Sequence, residues 1–356
     1  MPDKIGILTF HRTTNFGSVL QTYGLYRKIA DLGYDCEIID YRCPSIESRE
    51  SLDTRILSGS LKKTIRNVLF LPAYKKKAAA LFAFTNSSMK VSKPYTLDDI
   101  HFAKDQYAKT FVGSDIVWGR DITNNDYTYF LDYVGNNAAK YAFSSSVGDY
   151  SLRGDEQKIG QLLSQFNRIA VRERDACDWV EHLSTAHPDW VCDPTMLLTR
   201  EEWENYLNPT NFDKNYVLVY FIDDKRKCLQ DALAYAKKNH CQVYCINYDK
   251  PKFGVKNIKP KSLAEFLGLI MNAKMIFTAS YHGMLFSIYF NKEFLFYTRA
   301  HKDRVLSLAD RLGLSGNCGD NVNVAQYQRI DYPEVNKRVV QFREESTNVL
   351  VEMLHG

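Results

Sequence analysis

The amino-acid sequence predicts an α/β protein of two doubly wound, Rossmann-like domains, and three observations lead there. Short apolar runs alternate with helical stretches, the alternation restarts after position 200, and 356 residues, 45% of them hydrophobic, suffice for two cores. The first series is IGILTF (5–10), CEIIDY (36–41), TFVGS (110–114), KYAFSSS (140–146) and RIAVRE (168–173). The second is YVLVYFI (216–222), QVYCIN (242–247), MIFTAS (275–280) and EFLFYT (293–298). Runs apolar on both faces fit parallel strands covered by helices on either side.

Between the runs, Val19, Tyr23, Tyr26 and Ala30 recur at helical spacing, and Gly33 suits a left-handed helix end. Thr199 with Glu202, and Ser262 with Glu265, have capping-box spacing. The expected organisation is an N-terminal domain over 1–200, with a basic helical insertion at about 44–108. A C-terminal domain over 201–330 follows, then an amphipathic helix over 331–356 that can pack on either domain.

The net charge of +4 comes from 46 basic and 42 acidic residues, too mild a balance to imply nucleic acid. Arg55, Lys62, Lys63, Arg66, Lys75, Lys76, Lys77, Lys90 and Lys93 lie between Asp53 and Asp98 with no acidic residue among them. The positive excess therefore belongs to that segment, where cations alternate with apolar stretches. Such a segment suits either a helical hairpin packed on the first domain or peripheral contact with a membrane. Eight cysteines show no CxxC pair, so neither a zinc site nor a redox motif is expected. The start MPDKIGILTF lacks a signal-peptide core, and no window approaches 18 uninterrupted apolar residues, which points to the cytoplasm.

No GxGxxG follows a predicted strand and no GxxxxGK[ST] occurs, which argues against a dinucleotide enzyme or a P-loop ATPase. Loops at strand C-termini remain the places for a ligand. After the first strand, Arg12, Asn15, Gly17 and Ser18 lead into a helix, a setting for an anionic or polyhydroxyl ligand or for a plain turn capped by Ser18. Beyond TFVGS, Asp115 and Trp118 suit a sugar, the carboxylate accepting from hydroxyls and the ring packing on C–H faces; a turn over a core tryptophan fits equally. Ser144 adds a hydroxyl at the same sheet edge. Arg172 offers a fork for carboxylate or phosphate, or an ion pair with Glu173 or Asp175. Late in the chain, Ser280, His282 and Gly283 join a strand to a helix, placing an imidazole beside the helix's positive end. The run from Arg299 to Arg304 includes Lys302 and can complete an anion pocket or form a solvated helix start.

The chain resembles the polysaccharide pyruvyl transferase family. The likeness is carried by ILTFHRTTNFGSVLQTYGLYRKIADLGYDCEIIDYR, FVGSDIVW, DITNNDYTYFLDYV, YAFSSSVG, IAVRERDA, CDPTMLL, SYHGMLFSIYFNKEF and DRVLSLADRLGL, in order from about residue 4 to 314. Ser280 stands where some relatives carry arginine, and Ile116 where they carry glutamine. The resemblance implies two α/β domains about a cleft, similar to GT-B glycosyltransferases. It implies transfer of the pyruvate unit of phosphoenolpyruvate to two hydroxyls of a saccharide, in cell-surface or exopolysaccharide biosynthesis, with no metal or other cofactor. His282 is then the catalytic acid, and Arg172, assisted by Lys302 and Arg304, holds the donor. The loop around Asn15 and Gly17 faces the acceptor, and a lipid-linked acceptor would bring the enzyme to the inner face of the membrane. The alternatives are a GT-B glycosyltransferase using a nucleotide sugar and a non-catalytic saccharide-binding protein.

Overall fold

The structure, a computed structural model, describes all residues except 1–3, 52–60, 136–137, 149, 152, 214, 222–225, 249–250 and 300–301, and only the backbone of 61–70. The chain forms two compact units. One comprises Met1–Thr54, Phe82–Leu198 and Val340–Gly356; the other comprises Arg55–Leu81 and Thr199–Val339.

In the first unit, β1 (Ile5–Leu8), β2 (Cys36–Tyr41), β3 (Val91–Tyr95), β4 (Lys109–Val112), β5 (Ala139–Ser145), β6 (Arg168–Val171) and β7 (Asp189–Trp190) form one sheet. Its order is β3-β2-β1-β4-β5-β6-β7, with every pairing parallel. In the second unit, β8 (Tyr216–Tyr220), β9 (Gln242–Ile246), β10 (Lys256–Ile258), β11 (Met275–Thr278) and β12 (Phe294–Phe296) form a parallel sheet in the order β10-β9-β8-β11-β12. Both are doubly wound, and each order reverses once, at β1/β4 and at β8/β11. Connections on either side of such a reversal run to opposite faces, which opens a crevice beyond the strand C-termini.

All nine apolar runs are strands. Three further strands, β3, β7 and β10, carry no continuous apolar run because each lies at a sheet edge with a face toward solvent. Pro94 fits that position, since an edge strand can spare a backbone donor. The segment 44–108 is accordingly not helical throughout: helices Pro44–Glu50 and Leu61–Ser88 precede β3. Arg55 lies outside the described residues, as do the side chains of Lys62, Lys63 and Arg66. Lys77 is buried, its amine 4.2 Å from the centre of the Tyr248 ring, whereas Lys75 and Lys76 are exposed. Among the described residues no helix is long and apolar enough to cross a membrane.

Helix Phe16–Asp31 is capped by Asn15, whose Oδ1 accepts from Gly17 N at 3.0 Å. Ser18, expected as the cap, instead donates through Oγ to Phe10 O. Gly33 follows the helix at φ +91°, the left-handed stop that was expected. The Thr199 capping box is complete, whereas Glu265 turns from Ser262 to accept from Lys261 N. The C-terminal helix Tyr332–His355 belongs to the second unit as far as Val339 and to the first from Val340, where Ser346 Oγ accepts from Cys192 N at 2.8 Å.

Helix Phe16–Asp31 packs so closely on the 3-10 turn Pro194–Leu197 that a Cβ on Gly24 would lie 2.5 Å from Pro194 O. Gly24→Ala gains helix propensity of up to about 1 kcal/mol. The backbone clash costs more, so a net loss of about 1–2 kcal/mol is expected as a lower urea midpoint. An unchanged midpoint would show that the two elements can separate without cost.

Candidate functional site

At the second reversal point, β11 ends at Thr278 and helix Tyr281–Tyr289 begins three residues later. The turn between them is fixed. Thr278 Oγ1 donates to Tyr220 O at 2.7 Å and accepts from Ser280 N at 3.0 Å, and Ser280 Oγ accepts from Gly283 N at 3.2 Å. Ser280 is thus the helix cap. A Cβ on Gly283 would meet Thr278 Oγ1 at 2.4 Å and the Tyr220 ring at 2.9 Å. Glycine is therefore required here for helix packing. His282 lies in the first turn, 7% exposed, beside the positive end of the helix dipole.

Neighbouring loops join this turn. Ala279 N donates to Phe221 O just past β8, and Tyr297 N donates to Thr278 O just past β12. The exposed Arg299 lies over the Phe221 ring at 5.6 Å, a cation–π contact that brings it into the His282 loop cluster. The basic run beginning at Arg299 was expected to join the His282 loop, whereas the ring of Phe221 as its contact was not. Lys302 is exposed ahead of helix Asp303–Leu312, and Arg304 is half-buried in its first turn.

At the first reversal point the loop after β1 is tied to helix Pro44–Glu50. Glu50 Oε2 accepts from Thr14 N at 2.9 Å and Thr14 Oγ1 at 2.7 Å, while Arg12 Nε donates to Glu47 at 3.3 Å. Asn15 is exposed at the helix start, and Gly17 and Ser18 are buried behind it. Asp115, half-buried at φ +70°, follows β4, and Ser144, buried at φ +60°, lies in β5. Such conformations are uncommon for these residue types and cluster at functional loops.

Two expected contacts change. Trp118 is 0% exposed: its Nε1 donates to Tyr129 O at 2.9 Å and its ring stacks on Phe130, so no face is left for a sugar. The Arg172 side chain is also 0% exposed, with Nε donating to Glu173 at 2.9 Å and Nη1 to Asp193 at 3.0 Å. Ser146 Oγ donates to the same Glu173 oxygen at 2.7 Å. Arg172 is thus an ion-pairing residue below the strand ends, in a buried setting rather than on a solvated helix start.

Sequence reasoning missed a further buried pair at these ends. His11 Nε2 lies 2.9 Å from Asp40 Oδ1, and Arg42 donates to both Asp40 oxygens at 2.7 Å. Burial alone would raise the Asp40 carboxyl, but the hydrogen bonds from His11 and Arg42 outweigh it and hold it at about 2. Burial also pushes the thiols of Cys36, Cys177 and Cys192 up to about 12 and that of Cys245 to about 11, which leaves these four poor nucleophiles. Among the described residues no cluster of three or more His, Cys, Asp or Glu side chains is placed to hold a metal ion.

Because folding lowers the Asp40 value from about 3.8, its stabilisation is present above pH 4 and lost as pH falls toward 2. Asp40→Asn should remove about 2 kcal/mol of stability at pH 7 and flatten the acid limb of a stability-versus-pH curve. An unaltered acid limb would contradict the assignment.

The fold likeness extends over the whole chain. UDP-GlcNAc 2-epimerase from Neisseria meningitidis bound to UDP-GlcNAc shares 10% identity, with 99% of each chain covered and a TM-score of 0.51. An alpha-glucosyltransferase in complex with UDP shares 9% identity over 99% of this chain and 95% of its own, with a TM-score of 0.50. At such identities the likeness establishes the GT-B-like α/β fold. No curated protein matches the chain. The family model for polysaccharide pyruvyl transferase matches residues 15–301, a span that includes the turn carrying His282, and the chain belongs to the polysaccharide pyruvyl transferase family.

Proposed function

We propose that the protein transfers the pyruvyl unit of phosphoenolpyruvate to two hydroxyls of a saccharide of the cell surface or an exopolysaccharide, forming a cyclic ketal and releasing phosphate. The observation that carries this reading is His282, which, in a chain of this family, occupies a rigid turn at the strand-order reversal of the second sheet.

The central carbon of an enol phosphate becomes electrophilic only after its methylene carbon takes a proton. His282 supplies that proton and then recovers one from an attacking hydroxyl. The first hydroxyl adds to the central carbon, the carbon–oxygen bond to phosphate breaks, and the second hydroxyl closes the ketal. Its proton leaves with phosphate, so the protons balance without a cofactor. Arg299, Lys302 and Arg304 supply positive charge for the donor's carboxylate and phosphate. The loops after β1 and β4 serve the saccharide through Arg12, Asn15 and Asp115, with Gly17, Ser18 and Ser144 shaping them. Arg172 enters this reading by holding Glu173 and Asp193 beneath those loops rather than by touching the donor. A nucleotide-sugar reaction draws only on fold likeness.

The test is phosphate release from phosphoenolpyruvate in the presence and absence of saccharide acceptors. Acceptor-dependent release is expected, and His282→Ala should lower it by about a hundredfold or more while the thermal midpoint is kept. Unchanged turnover in that variant, or consumption of a UDP sugar with phosphoenolpyruvate inert, would overturn the reading.

A further inference from the structure

In the second unit, β10 is an edge strand, and beside it lies a groove of 630 Å3. Leu233, Ala236, Val243 and Val255 give it an apolar floor, and Lys237 and Lys256 also line it. Phe253, next to the lining residue Gly254, is 89% exposed, ahead of Phe102 at 62% among the described residues. Its loop is braced: Asn257 Oδ1 accepts from Lys252 N at 2.9 Å, and Asn257 Nδ2 donates to Lys252 O at 2.9 Å and to Val255 O at 3.3 Å. Gly254 makes the turn at φ +74°. The ring is thus held outward by a hydrogen-bonded loop.

The sequence around it is rich in lysine between Asp249 and Glu265. From Lys250 to Ala264 the sequence carries five lysines and no acidic residue. Among the described residues no ion pair joins the amines of Lys237, Lys252, Lys256 or Lys261 to a carboxylate, and the Lys256 amine meets Tyr244, 3.2 Å from its hydroxyl. Lysines on an edge strand also protect a sheet from pairing with another. That role does not account for a braced, outward phenylalanine next to a residue that lines an apolar groove. An exposed aromatic side chain in a lysine-rich loop matches the layered chemistry of an anionic bilayer, apolar beneath a phosphate surface.

We propose that this face docks on an anionic phospholipid surface, with Phe253 entering the headgroup–acyl boundary and Lys237 and Lys256 meeting lipid phosphates. The groove borders the first residues of β9, whereas His282 follows the C-terminal end of the parallel β11, so docking leaves the candidate catalytic loops uncovered. The inference stands independently of the proposed reaction and of the expected contact through the basic segment around Lys77.

The test is co-sedimentation of the full-length protein, without substrates, with vesicles of phosphatidylcholine alone or mixed with phosphatidylglycerol. Binding to the mixed vesicles only, weakening with salt, is expected. Phe253→Asp should lower partitioning roughly tenfold or more. Lys237→Glu with Lys256→Glu should lower it roughly thirtyfold, all variants keeping the wild-type circular dichroism and melting temperature. Equal binding to neutral vesicles, no binding at all, or partitioning unaffected in these variants would overturn the proposal. So would loss of binding in Lys75→Glu with Lys76→Glu alone, which places the contact on helix Leu61–Ser88, or a self-association abolished by Phe253→Asp, which makes the face a contact between copies.

Discussion

The reversal of strand order between β8 and β11 is the constraint on which the candidate catalytic turn depends. Parallel strands in one sheet need crossover helices, and where the order reverses, successive crossovers leave on opposite faces. Loops at such a point border a crevice beyond the strand ends, and this is where Ser280 and His282 stand. Precision comes from the packing beneath: Thr278 bonds across to Tyr220, and Gly283 lets the helix settle on both. A larger residue at 283 would lift the helix start and carry the imidazole with it.

The two units use charge differently. At the strand ends of the first, the strongest cations are consumed internally: Arg172 by Glu173 and Asp193, Arg42 by Asp40, and Arg12 by Glu47 and the ring of Phe82. The Arg172 pairs are buried, whereas Arg42 and Arg12 are partly exposed, and all three fix loop geometry. In the second unit Arg299 is exposed in the His282 loop cluster, and Lys302 is exposed ahead of helix Asp303–Leu312.

Much of this was legible in the sequence because it is local. Fully buried strands announce themselves as apolar runs, so the nine interior or well-covered strands could be read directly, as could the His282 turn with its flanking strand and helix. The edge strands β3, β7 and β10 could not, since solvent on one side removes the hydrophobic signal. Burial of charge is also invisible locally. Arg172 looks like a ligand fork until Asp193, 21 residues away, is brought against it by β7, and His11 has no visible partner until β1 pairs with β2 and delivers Asp40. Trp118 reads as a sugar platform or a core residue alike, and only the stacked Phe130 decides the matter.

The central claim is that the reaction begins by protonating a carbon, with His282 as the acid. Turnover of phosphoenolpyruvate and a saccharide acceptor in deuterium oxide, with the ketal product read by mass spectrometry, tests it most directly. The account predicts one solvent-derived deuterium in each transferred methyl group. A ketal whose methyl carries no deuterium would contradict it.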